Sequence, residues 1–325
     1  MKDVEMKMLE RAKALLESGE VARVIGWKKG EFCYDPSPAS FESVEELNSF
    51  VYDWFCGANL SKYLIEMSKK EGKTAVFLKP CDTYSFNQLV KEHRIKRENV
   101  YVIAVECLAK LDIEKIKAKG VSMVEGVEVI GKEVKVTTAY GEETLHKPEV
   151  ILTKCETCQK THQVQDETII LHERPQRDVN RMAEVEKLEA MTADERFAFW
   201  REQLSKCIRC NACRNVCPAC SCVKCVFDNP ASGIAAKAND DKFEEQLFHI
   251  IRAFHVAGRC TDCGECSRVC PQNIPLHLLN RKFIKDIDGL YGEYQAGETA
   301  EGKTPLTSYT ESDAEPNDVI GGEVK

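Results

Sequence analysis

Lys206–Pro218 reads KCIRCNACRNVCP, and Arg259–Pro271 reads RCTDCGECSRVCP. Each stretch is Cys-x2-Cys-x2-Cys-x3-Cys-Pro, first as Cys207, Cys210, Cys213, Cys217 and Pro218, then as Cys260, Cys263, Cys266, Cys270 and Pro271. Three thiolates two residues apart wrap one corner of a cubane on a single tight turn, and the proline releases the backbone from helix after the fourth. This is the run that folds around 4Fe–4S clusters in two-cluster ferredoxins, where each run's fourth cysteine ligates the other run's cluster. The spacing therefore assigns Cys207, Cys210, Cys213 and Cys270 to one cluster, and Cys260, Cys263, Cys266 and Cys217 to the other. A zinc ribbon explains one Cys-x2-Cys pair but not two complete runs.

The interval from Pro218 to Arg259 is longer than compact two-cluster ferredoxins need, and Phe243, Leu247, Ile250, Ile251 and Phe254 form a helical stripe inside it. The expected module is an α-helical dicluster domain of the kind found in iron–sulfur subunits of larger respiratory and disulfide-reducing complexes. A helix capped by Thr192 and Glu195 runs through Phe197, Phe199, Trp200 and Leu204 into Cys207. Its aromatic residues either shield the first cluster or only fill a core. Cys220, Cys222 and Cys225 are left over, with a further metal, exchange with an assigned ligand and no metal role all open. Lys206, Arg209, Arg214 and Lys224 flank the first run, and Arg252, Arg259 and Arg268 the second. These cations either favour reduced, more anionic clusters and an acidic partner, or belong to a solvated face. His249 and His255 lie off any ligand spacing and read as packing or surface residues.

Upstream the pattern changes to α/β. Val4, Met8, Leu9, Ala12, Leu15 and Leu16 predict an amphipathic helix ended at Gly19, and Val21–Trp27 a strand. Ser43 with Glu46, followed by Val44, Leu47, Val51 and Trp54, predicts a second helix; Leu60, Tyr63, Leu64 and Met67 predict a third. Thr74–Leu78 and Val100–Val105 are apolar runs separated by a helix-like segment, which implies parallel strands with a crossover. Cys81 and Cys107 then fall just beyond the carboxyl ends of two strands, the edge of an open sheet where ligands bind. Between Val121 and Leu152 the segments VEVI, KEVKVTTAY and EVILT predict a small β extension that leads to Cys155 and Cys158. With Cys81 and Cys107 these complete a four-thiolate set, read as a third cluster against structural thiols or zinc. Cys33 reads as an idle or packed thiol.

The 325 residues suffice for two cores, and 17 cysteines at metal spacing in a chain with 30% charged residues point to a reducing cytoplasm rather than a disulfide scaffold. The charged start excludes a signal peptide, and no apolar run reaches a membrane span. A net charge of −8 gives no basic footprint for nucleic acid. The expected division is an α/β domain at 1–172, a helical dicluster domain at 173–288 and a disordered acidic tail at 289–325, poor in apolar residues.

The N-terminal half resembles the beta-subunit family of coenzyme F-420 hydrogenases and dehydrogenases, formate dehydrogenase beta subunits included. The matching residues are Leu15–Val21 with Val24-Ile25-Gly26, Phe55–Leu60, Lys79-Pro80-Cys81-Asp82, Ile95–Val100, Ala104–Cys107 and Lys154–Cys158. The likeness continues through Phe199-Trp200, Lys206–Arg214 and Arg252–Cys260, and covers roughly residues 10–285. It implies an electron-transfer subunit of a cytoplasmic oxidoreductase complex, with cluster ligands at Cys81, Cys107, Cys155 and Cys158, and FAD in some members. Flavin-binding relatives carry a Gly-Gly-rich segment where this chain has Cys56-Gly57-Ala58-Asn59, and Gly-x-Pro-Cys where it has Ala104-Val105-Glu106-Cys107. Cys56 is a further candidate to exchange with one of the four ligands.

Two readings of function follow. The first is a non-catalytic or weakly catalytic relay in a hetero-oligomer, passing single electrons between a catalytic subunit such as a formate dehydrogenase or hydrogenase and a heterodisulfide-reductase-like or ferredoxin partner. The second is a flavoenzyme subunit that exchanges hydride with a nicotinamide or deazaflavin coenzyme and feeds the clusters through FAD. An iron–sulfur sensor fits less well, because adjacent clusters suit conduction.

Overall fold

Thr74–Leu78 is buried along its whole length, as a central parallel strand covered on both faces must be. The computed structural model describes residues 1–172, 178–229 and 242–307. Among them the strands β1 (Arg23–Lys28), β2 (Ser37–Phe41), β3 (Thr74–Leu78), β4 (Val100–Val105), β5 (Val124–Ile130), β6 (Glu133–Thr138), β7 (Gly141–His146) and β8 (Glu167–Ile169) form two sheets. The larger runs β2-β1-β3-β4-β8, with β1–β2 antiparallel and the other pairs parallel. Helix Lys2–Glu17 packs Val4, Met8, Ala12 and Leu15 into the core of this sheet, and Arg11 binds Glu167 of β8 at 2.6 Å.

After β3 the chain turns at Lys79 into helix Pro80–Lys91, with Pro80 in the first turn where its missing N–H costs nothing. This is the expected strand–helix–strand crossover. It leaves Cys81 in the first turn of the helix after β3 and Cys107 two residues past the end of β4, both at the carboxyl edge of the sheet.

The small sheet β5-β6-β7 is antiparallel, and β6 turns Val134, Val136 and Thr138 inward in strict alternation. Val134 and Val136 pack with Ile116, Val150, Ile151, Leu152 and Cys155 in a second core. Its third strand is Gly141–His146, not the expected EVILT. Pro148 starts a helical turn at Lys147–Val150 instead, and Ile151 makes only an isolated bridge to Leu111.

The helix expected from Ser43 shrinks to a 3-10 turn at Glu46–Ser49. Helix bonding loses to tertiary backbone pairing there: Lys29 N–H donates to Ser49 O at 2.8 Å and Val51 N–H to Trp27 O at 2.9 Å. The segment from Leu60 to Met67 is likewise two short turns.

Beyond residue 178 the regular structure is helical. Helices Ala193–Leu204, Lys242–Val256 and Leu276–Tyr291 pack together around Leu204, Phe248 and Leu276. The Thr192–Glu195 capping box forms in both directions. Trp200 joins the core that contains Cys207, Cys213 and Cys270, whereas Phe197 is 59% exposed.

The tail departs from expectation. Helix Leu276–Tyr291 runs past residue 289, Ala296 and Thr304 are buried, and Gly297 rests on Tyr84 of the α/β domain. At Gly297 φ is +77° and an added Cβ would lie 1.9 Å from the Tyr84 carbonyl oxygen, so only glycine fits this approach. Close local packing, which composition does not record, holds this segment. Residues 308–325 of the expected disordered tail lie outside the described residues.

Candidate metal centres

Both cysteine runs bend the same way. Arg209 (φ 52°) and Asn211 (φ 62°) in the first run correspond to Asp262 (φ 55°) and Gly264 (φ 69°) in the second. These left-handed residues turn successive N–H groups toward the sulfurs, as in an anion nest; Arg209 N lies 3.3 Å from Cys207 Sγ. A single helical turn follows each bend, Ala212–Val216 carrying Cys213 and Glu265–Arg268 carrying Cys266, and the two turns pack on each other.

That packing crosses the fourth cysteines. One pocket is lined by Cys207, Cys210, Cys213 and Cys270. Cys217 instead lies close enough to Cys260, Cys263 and Cys266 for its charge to raise all three thiols, with burial the larger cause in each. Burial likewise pushes Cys207 and Cys266 up to about 12. Thiolates in such places are stable only against a positive ion, so the donor set suits iron.

The third set also converges. A cavity of about 270 Å³ at the sheet edge is lined by Cys81, Cys107, Cys155 and Cys158, and by Cys263 of the second run. Burial raises Cys81, and pushes Cys155 up to about 11. Lys79, Lys110, Lys154 and Lys160 line the same cavity. Burial lowers Lys110, and pulls Lys160 down to about 8. Lys79 is paired with Asp82 and Lys154 with Glu265, so Lys110 and Lys160 are the buried ammonium groups that favour an anionic occupant. Cys56 sits elsewhere, bonded to Val51 O and Asp53 Oδ1 within the core of the large sheet. Cys33 packs beside the second core.

Sequence reading missed several groups. Glu265, fully buried, accepts from Arg268 Nε and Nη2 at 2.8 Å, from Asn59 N–H at 3.1 Å and from Lys154. Burial opposes its charge, yet Arg268 and Lys154 hold the carboxyl well below the usual range. This triad joins the second run to the segment that precedes Cys155, and only its alternating charges were visible in the sequence. Glu293 and Gln295 of the tail line the third cavity. Cys220, Cys222 and Cys225 line another cavity of about 380 Å³ with Lys62, Arg214 and Arg259, and the Cys220 thiol bonds to Cys217 and, with Arg252 and Lys62, lowers its pKa against burial. His249, read as packing or surface, is buried against the first pocket. No helix of the described residues is long and apolar enough to cross a membrane, and none of the 17 cysteines is joined in a disulfide.

Residues 203–274 match the 4Fe–4S dicluster domain family. The F420-dependent formate dehydrogenase subunit beta of Methanocaldococcus jannaschii is 24% identical, over 86% of this chain and 88% of its own length. The F420-dependent formate dehydrogenase 1 subunit beta of Methanococcus maripaludis is 25% identical, over 66% of this chain and 72% of its own. Among solved structures, a chain of the F420-reducing NiFe hydrogenase complex from Methanosarcina barkeri aligns over 48% of this chain and 63% of that one, at 14% identity and a TM-score of 0.37. The chain thus joins a mixed α/β region to a C-terminal 4Fe–4S dicluster domain, and along most of its length it is similar to beta subunits of F420-dependent formate dehydrogenases.

Proposed function

We propose that this chain is the iron–sulfur electron-transfer subunit of a hetero-oligomeric oxidoreductase complex. It takes single electrons from a catalytic subunit of the formate dehydrogenase or hydrogenase kind and hands them to a heterodisulfide-reductase-like or ferredoxin partner, or runs in the reverse direction. The observation that carries this reading is the sheet-edge cavity. Its wall holds Cys81, Cys107, Cys155 and Cys158 together with Cys263, so a third centre there would share a wall with the second.

The ligands we assign are Cys207, Cys210, Cys213 and Cys270 for the first centre, Cys260, Cys263, Cys266 and Cys217 for the second, and Cys81, Cys107, Cys155 and Cys158 for the third. When bound, the clusters supply the one-electron chemistry. The chain sets their spacing, burial and surrounding charge. We place the domain boundary near residue 172 and the compartment in a reducing cytoplasm, which suits cysteines clustered at metal-ligand spacing.

The flavoenzyme reading is the weaker one for a structural reason. In Cys56–Asn59, Gly57 O accepts from Lys154 at 2.7 Å, Ala58 O from Lys79 at 2.6 Å, and Asn59 N–H donates to Glu265. These backbone groups are spent on protein partners and are not free for a flavin. Anaerobic purification with iron, sulfide and flavin analysis tests the proposal. About twelve irons per chain and no flavin are expected; about eight irons would remove the third centre, and stoichiometric FAD would overturn the relay.

A further inference from the structure

His249 projects from helix Lys242–Val256 and is 1% exposed, and neither ring nitrogen has a hydrogen-bond partner among the described residues. A buried polar group left unpaired keeps its full desolvation penalty, so this ring lacks an acceptor that the folded, loaded protein should supply. The ring lines the pocket that holds Cys207, Cys210, Cys213 and Cys270. One of its nitrogens, the Cys207 sulfur and a Glu245 oxygen all lie within 4.8 Å of one another.

The surroundings fix what the ring can do. An imidazole carries at least one N–H in either protonation state, so the ring is a donor here. Arg209 is itself engaged by Glu245 at 3.4 Å, and the Phe248 ring packs on the imidazole at 5.0 Å between centroids. Four cysteines already line the pocket and complete the ligand set of a cubane. No iron is left for the imidazole, and the two acceptors in reach of its N–H are the Cys207 sulfur and a Glu245 oxygen, of which Glu245 is already engaged by Arg209.

We propose that His249 donates its N–H to the Cys207 sulfur of the first cluster and raises that cluster's reduction potential. Reduction adds negative charge to the sulfurs, and a hydrogen bond to a more charged acceptor is stronger, so the reduced form gains more. The inference rests on the ligand assignment proposed above, and deepens it by naming the group that tunes one centre. His249 is a positioning and tuning residue, not a ligand.

The test uses the full-length, cluster-loaded protein, with His249→Leu and His249→Gln variants and an EPR-monitored redox titration. In the Leu variant the iron content should stay at the wild-type value while the first cluster's midpoint moves to a more negative potential and the other signals stay put. Glutamine retains a donor and should recover part of the shift. Weak nitrogen coupling to the reduced wild-type cluster, shifted by 15N-histidine labelling and lost in the Leu variant, is the direct signature. An unchanged midpoint in the Leu variant would overturn the proposal. So would strong, ligand-type nitrogen coupling, or loss of about four irons in both variants. If wild type and Cys213→Ser contain the same iron, the ligand assignment itself has failed, independently of His249.

Discussion

Arg252 Nη2 donates to the Cys213 carbonyl oxygen at 3.2 Å from a side chain only 3% exposed. Burial opposes its charge, but Cys217, Cys266 and Cys213 together raise its affinity for the proton. In the ligand assignment proposed above, one permanent cation therefore stands between the two cysteine sets, with Cys213 in the first and Cys217 and Cys266 in the second. Removing it as Arg252→Met should make both dicluster centres harder to reduce. For a charge within ~7 Å of the added electron at an effective dielectric of ~20, the loss is on the order of 2 kcal/mol, or ~100 mV for one electron. Redox titration of the two EPR signals checks this; a shift confined to one centre would contradict the shared position.

The Lys154–Glu265–Arg268 triad is the buried ionic junction between the segment ahead of Cys155 and the second cysteine run. Glu265→Gln leaves Lys154 with the Gly57 carbonyl but without its counter-ion, and unpairing a buried charge costs about 3–5 kcal/mol. The sign of the pH effect follows from the depressed carboxyl. Its contribution is fully present above the unfolded value of about 4.3 and is lost only as pH falls through the lower folded value. Thermal unfolding should therefore show a gap between wild type and variant that stays constant from about pH 6 to pH 9. A gap that closes within that window would mean the carboxyl is not held ionised.

The cysteine runs could be read because ligand spacing is local: three thiols and a proline within a dozen residues specify the turn whatever surrounds it. Cys81 and Cys107 were legible for a related reason, since a buried apolar run such as Thr74–Leu78 marks a parallel strand and its carboxyl end marks the site edge. What escaped was set by partners distant in sequence. The helical spacing after Ser43 was overruled by the bond from Val51 N–H to Trp27 O. The polar tail found its surface at Tyr84, and His249 comes near Cys207 only because its helix packs against the one that leads into the first run. No window of sequence contains those contacts.

The third centre makes a prediction about which cysteines count. Cys155→Ser and Cys158→Ser should each lower iron by about four atoms per chain and leave the two dicluster signals intact. Cys56→Ser should leave iron unchanged, because its thiol bonds inward to Val51 O and Asp53 Oδ1 and does not face the cavity. Iron analysis beside low-temperature EPR separates the cases. Equal iron loss in all three variants would point to misfolding rather than ligation.

Gly297 provides the last prediction, since it decides whether the tail can close the third cavity. A Cβ there meets the Tyr84 carbonyl oxygen at 1.9 Å, and backbone cannot give way as a side chain tip would. Gly297→Ala should therefore lift the segment that carries Glu293 and Gln295 off the cavity mouth and break the bonds that Gln295 accepts from Lys160 at 2.5 Å and from Arg181 at 2.8 Å. Gly302→Ala is the control. Its φ of +85° is equally left-handed, but nothing lies within 4 Å of the added carbon, so it carries only the conformational penalty of roughly 1–2 kcal/mol. If the tail shields the third centre, a chelator under anaerobic conditions should strip about four irons faster from Gly297→Ala than from wild type or Gly302→Ala, with the other eight or so released at the wild-type rate. Equal rates in both glycine variants would show that the strain matters and the lid does not.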